Sequence, residues 1–248
     1  MRVVPAGPVI GLTALLALLA ALAGAVGLGV AGWAAGIGCG VIGAVALSRA
    51  LTRHGVAHLA PADRVTLARA VLVGGVTALI ADSFARPGAV PALVALAAVA
   101  LVLDSVDGWV ARRTRTASER GARFDLEVDA FLILALSGYV ARSAGAWVLL
   151  IGLARYALVA AGWLLTWLRE PAPPRRWCKV VAAIQGVVLT VVAAGVLPHE
   201  LNVAAVAVAL ALLAESFGRE VCWKWRRSRE RSSHPVVVTL LGKQVRAG

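Results

Sequence analysis

Residues 88–129 read GAVPALVALAAVALVLDSVDGWVARRTRTASERGARFDLEVD. No charge interrupts 88–103, and the apolar run through 111 is long enough to cross the hydrocarbon core of a bilayer as a helix. Asp104 and Asp107 lie inside that run, a loop rich in arginine follows, and Asp125 and Asp129 open the next apolar run. An ionised side chain in a membrane helix costs on the order of 3 kcal/mol or more unless it is paired or hydrated. Four carboxylates near one membrane face therefore mark a functional site.

The spacing sharpens that reading. Asp104, Asp107, Gly108 and Ala111 stand at i, i+3, i+4 and i+7, one stripe of a helix, and Gly121, Asp125 and Asp129 repeat at i, i+4 and i+8 on the next. A hairpin between the two helices would bring the stripes together. Hard oxygen ligands of this kind suit Mg²⁺ or Mn²⁺, and two ions can share four carboxylates; no His or Cys stands near enough for zinc. Such a site would neutralise a pyrophosphate and stabilise a departing phosphate oxygen, and the glycines would let a nucleotide approach the backbone. The competing reading pairs the acids with Arg112, Arg113, Arg115, Arg120 and Arg123 in a charged interfacial loop. That accounts for charge balance but not for two acid stripes with glycine or alanine one turn away.

The rest of the chain agrees with a membrane setting. Apolar residues make up 60% of the 248 and charged residues 15%, and mean hydropathy is +0.83, which removes the chain from ordinary soluble domains. Eight apolar runs are expected as helices, near 8–25, 29–48, 65–84, 88–111, 125–141, 145–168, 179–197 and 201–217. The first two form one long stretch, split at the Gly-rich segment Ala25 to Gly29. That stretch is too long for a signal-peptide core and is expected to be retained. Net charge is +12, but Lys and Arg crowd into the gaps 49–64, 112–123 and 169–179 and beyond 219, so topology rather than nucleic acid explains them. Those gaps and both termini are expected on the cytoplasmic side. The domains read as an N-terminal helix pair (1–48), a juxtamembrane connector (49–64), a core of six helices (65–218) and a basic tail (219–248). Cys39, Cys178 and Cys222 have neither disulfide nor zinc spacing and are expected to be free thiols.

Asp104, Asp107, Gly108, Ala111 and Arg112, followed after eight residues by Gly121, Asp125 and Asp129, resemble the signature D-x-x-D-G-x-x-A-R-x8-G-x-x-x-D-x-x-x-D of the CDP-alcohol phosphotransferase (CDP-alcohol phosphatidyltransferase) family. Pro61 to Arg69 is similar to the P-N-x-x-T-x-x-R segment that often opens the family core, with Asp63 in place of Asn and Thr66 retained. The resemblance implies an all-α, polytopic core of six helices, with the first two helices an addition. It implies that Asp104, Asp107 and Asp125 hold metal, that Asp129 is both ligand and general base, and that Gly108, Ala111, Arg112 and Gly121, with Asp63 and Thr66, receive the nucleotide. It implies transfer of a phosphatidyl group from a CDP-linked lipid donor to an alcohol acceptor, release of CMP, two Mg²⁺ or Mn²⁺ ions, and a homodimer.

The acceptor stays open. Arg155 interrupts an apolar helix, where it either faces a cavity as an acceptor or phosphate ligand or pairs with an acid; Arg175, Arg176 and Lys179 either bind the acceptor or signal topology. Lys179 and Gln185 partly match a segment of phosphatidylglycerophosphate synthases, but Cys178, Val181 and Ala182 depart from it. Glycerol phosphate or inositol phosphate, a lipid acceptor as in cardiolipin synthesis, and a CDP-linked head group all remain, as does a non-enzymatic scaffold or transporter that would leave the acids unused. Glu215 is expected to pair with Arg219 one turn on.

Overall fold

The structure is a computed structural model that describes residues 6–53, 61–114, 119–169 and 176–233. Among these residues each of the eight apolar runs coincides with one α-helix: α1 (Ala6–Val26), α2 (Val30–Arg53), α3 (Pro61–Asp82), α4 (Val90–Thr114), α5 (Glu119–Ala144), α6 (Leu149–Leu164), α7 (Arg176–Ala193) and α8 (His199–Ser233). Short 3₁₀ turns flank α6 at Ala146–Val148 and Thr166–Arg169. By length and composition α1, α2, α3, α6 and α8 suffice to cross a membrane; the apolar parts of α4 and α7 are shorter, and α5 carries Asp125, Glu127 and Asp129 in its first half. The chain is a polytopic helical membrane bundle.

Helix α3 is its axis. It packs against α1, α2, α4 and α5, and half of its apolar span is buried, against 22% or less in the other four long spans. The α1–α2 turn falls inside the expected Ala25 to Gly29 segment. Gly27 adopts φ 73° there, a left-handed conformation that glycine takes without a Cβ penalty, and its N–H donates to the Ala23 carbonyl at 3.1 Å, capping α1. Asp82 at the end of α3 fastens the turn: its carboxylate accepts from the Gly29 N–H at 2.9 Å and from Arg86 at 2.6 Å, while Arg86 also donates to the Gly27 carbonyl. At the same end of the bundle Arg142 of α5 donates to the Ser83 hydroxyl and carbonyl at 2.7 and 3.0 Å and lies over the Phe84 and Tyr139 rings.

Several boundaries differ from the expected ones, two of them in ways that bear on the site and the tail. Helix α5 begins at Glu119 rather than 125, so Gly121 is already helical. Helix α8 continues past 217 to Ser233, into the segment expected as tail. Its continuation is held by side chains: Arg219 pairs with Glu215, Lys224 pairs with Glu220 at 2.7 Å, and the buried Lys224 ammonium donates to the Leu168 carbonyl at 3.1 Å. Of the expected connector 49–64, residues 49–53 extend α2 and 61–64 open α3, while 54–60 lie outside the described residues. The three cysteines are free thiols.

Candidate active site

The site forms where the start of α3, the end of α4 and the start of α5 meet. The chain reverses between α4 and α5, so the acid stripe near the end of one helix faces the stripe near the beginning of the other. One carboxylate oxygen from each of Asp104, Asp125 and Asp129 lies within 4.8 Å of the others. All three side chains are partly exposed, whereas the group they surround is not.

That group is Arg69 of α3, fully buried. Its Nη1 pairs with Asp104 at 3.0 Å and also with Asp125, its Nη2 pairs with Asp129, and its Nε donates to the Ala100 carbonyl at 3.2 Å. Three carboxylates at such separations repel one another strongly in a poorly hydrated setting, and a delocalised guanidinium with several donors can satisfy all of them at once. Arg69 therefore acts as the counter-charge of the cluster. Arg69 closes the Pro61 to Arg69 segment, and the sequence alone assigns it no role. Its signal was the position itself: Asp63, Thr66 and Arg69 recur at i, i+3 and i+6, and all three are buried. Asp63 and Thr66, expected at the nucleotide, thus begin a polar row that ends inside the acid cluster.

Among the other expected site residues, Gly121 lies in the first turn of α5, half-buried. Asp107, Gly108, Ala111 and Arg112 fall on the last turns of α4; their side chains, and that of Arg176, lie outside the described ones, and Arg175 lies outside the described residues altogether. Arg155 is not grouped with the acids: its Nη2 donates to Glu127 at 2.6 Å, and Glu127 stands on the face of α5 turned away from Asp125 and Asp129. Lys179 is exposed near the start of α7. Glu215 holds both Arg219, as expected, and the Trp177 indole N–H at 2.9 Å.

The donor set fits a hard divalent cation: oxygens from three acids converge, with a fourth acid, Asp107, on the adjoining turn of α4. Arrays of this kind neutralise phosphate charge, and the cluster lies at the end of the bundle where chain segments rich in arginine flank it.

No curated protein and no solved structure matches this chain. A family model described as CDP-alcohol phosphatidyltransferase matches residues 59–214, more than half of the chain, from α3 through the apolar part of α8. The acid cluster and Arg69 lie inside the matched region and α1 and α2 outside it. On the extent of that match, the chain belongs to the CDP-alcohol phosphatidyltransferase family and is a membrane-embedded transferase.

Proposed function

We propose that this transferase moves a phosphatidyl group from CDP-diacylglycerol to a polar alcohol, glycerol phosphate or inositol phosphate being the favoured class, and releases CMP at a site facing the cytoplasm. The observation that supports this most directly is the convergence of Asp104, Asp125 and Asp129 around Arg69 inside the family match.

On this reading Asp104, Asp107, Asp125 and Asp129 are the residues that would hold two Mg²⁺ or Mn²⁺ ions, which when bound supply positive charge and Lewis acidity beside the donor's pyrophosphate. Asp63, Thr66, Gly108, Ala111, Arg112 and Gly121 receive the CDP portion, the small residues by letting it approach the helix backbones and Arg112 by a bidentate grip on phosphate. Asp129 takes the proton of the acceptor hydroxyl as its oxygen bonds to the lipid-side phosphorus; the phosphorus–oxygen bond to CMP breaks, and CMP leaves with that oxygen. Most of the acceleration comes from holding donor and acceptor in line in a preorganised field. Arg175, Arg176 and Lys179 supply positive charge for a phosphorylated acceptor.

The test is CMP release by the purified protein supplied with CDP-diacylglycerol, Mg²⁺ or Mn²⁺, and a panel of acceptors. Release is expected with at least one phosphorylated polyol, and Asp129→Asn should slow it by about 10²-fold or more. No release with any acceptor would sink the reaction, and a wild-type rate in Asp129→Asn would sink the base assignment.

A further inference from the structure

A cavity lies behind the acid site. It has a volume of about 530 Å³ and is walled by α1, α2, α3 and α5, with Tyr156 of α6 at its edge. This size is ordinary for a small-molecule pocket, but the walls are not: hydrocarbon from Leu12, Leu47, Val71 and Phe131 dominates, and glycines at 11, 40 and 43 keep the α1–α2 side thin. The cavity uses the broad face of α5 centred on Arg123, Glu127 and Phe131, which points away from Asp125 and Asp129. It is thus a separate compartment at the same depth as the acid cluster.

Its charged side chains gather at one end. Arg123, Glu127 and Tyr156 line it there. Glu127 is engaged by Arg155 at 2.6 Å, whereas Arg123 is exposed and pairs with no acid among the described residues. One positive charge is left over at the mouth. The stretch from Arg123 to Phe131 extends about 12 Å along α5, at the 1.5 Å rise of a helix, so the compartment leads from a cationic rim into a hydrocarbon interior. Ile42 lines it and is still 72% exposed, which means that it opens sideways between the helices to the bilayer.

We propose that this groove holds one anionic phospholipid, one acyl chain lying between α1, α2, α3 and α5 and the phosphate at Arg123. Water is a poor occupant because the interior offers it almost no hydrogen-bond partners, and an uncharged lipid would leave the Arg123 charge unanswered. Helices α1 and α2 lie outside the family match, and on this inference part of their contribution is to wall a lipid site.

Gly43 provides the test. A Cβ there would meet nothing within 4 Å, so Gly43→Leu starts without a clash at the helix surface and fills groove space with its side chain, and leucine is a better helix former than glycine. Gly38→Leu is the control, because Gly38 is equally uncrowded and does not line the groove. The full chain is purified in detergent, equilibrated with phosphatidylglycerol or with phosphatidylcholine, and examined by native mass spectrometry. One phosphatidylglycerol per chain is expected in the wild type and in Gly38→Leu. Occupancy should fall about ten-fold in Gly43→Leu and also drop in Arg123→Gln. Full occupancy in Gly43→Leu, or no retained lipid in the wild type, would overturn the groove; equal retention of phosphatidylcholine would overturn the role of Arg123. The measurement needs no turnover, so an inactive protein with Gly43-dependent lipid would refute the proposed reaction and leave this site standing.

Discussion

Arg69 is a cation with no access to water, and its stability rests on the three carboxylates around it. A buried charge that loses its partner costs about 3 kcal/mol or more; here a single substitution strands three at once. Arg69→Met should therefore lower stability in the presence of a chelator by about 3 kcal/mol, a fall of roughly 6–12 °C in Tm for a chain of this size. Because a bound cation stabilises the state that binds it, adding Mg²⁺ or Mn²⁺ should raise the Tm of the variant more than that of the wild type. Thermal melts in detergent with and without metal check this, and equal metal responses would show that Arg69 is not the counter-charge. The acids themselves were legible in the sequence, because carboxylates at helical spacing in apolar runs have few structural uses. Arg69 was less so: an arginine near the start of a span reads first as a topology signal, and only the packing of α3 between α4 and α5 turns it into the centre of the site.

The helices were legible from hydrophobic runs, and their ends from local chemistry. Helix α8 outran its apolar stretch because hydropathy stops at 217 whereas helix-supporting pairs do not: Glu215 with Arg219 and Glu220 with Lys224 carry it on, and the next proline is Pro235. Which faces touch was not legible, since a run rich in Ala, Val, Leu and Gly looks alike all round. Gly152 shows what decides it. A Cβ there would lie 2.6 Å from the Leu134 Cα and 3.2 Å from the Ser137 Cβ, so α5 and α6 approach through that glycine, as small residues permit between membrane helices. Gly152→Ala should push the helices apart and cost about 1–3 kcal/mol. Gly138→Ala, on α5 with nothing within 4 Å, should leave stability unchanged or raise it by up to about 1 kcal/mol. Parallel thermal melts decide it; similar losses in both variants would mean that the α5–α6 contact is not set at Gly152.

At the scale of the whole molecule, the polar contacts divide the bundle into two ends. One holds Gly29, Asp82, Arg86 and Arg142, which tie helix ends to turns. The other gathers the acid cluster, the Glu127–Arg155 pair and the α8 extension with Arg219 and Lys224. The second end is also where the chain concentrates its Lys and Arg, the bias that places loops in the cytoplasm. Cys222 is a natural reporter of that orientation, since it is exposed on the α8 extension, beyond the apolar stretch expected to end at 217. In a Cys39→Ala, Cys178→Ala background it is the sole thiol of the chain. A membrane-impermeant maleimide should label it in sealed inside-out vesicles and not in right-side-out ones until they are permeabilised. The opposite pattern would put α8's basic extension, and with it the acid site, on the outer face and would overturn the proposed cytoplasm-facing reaction.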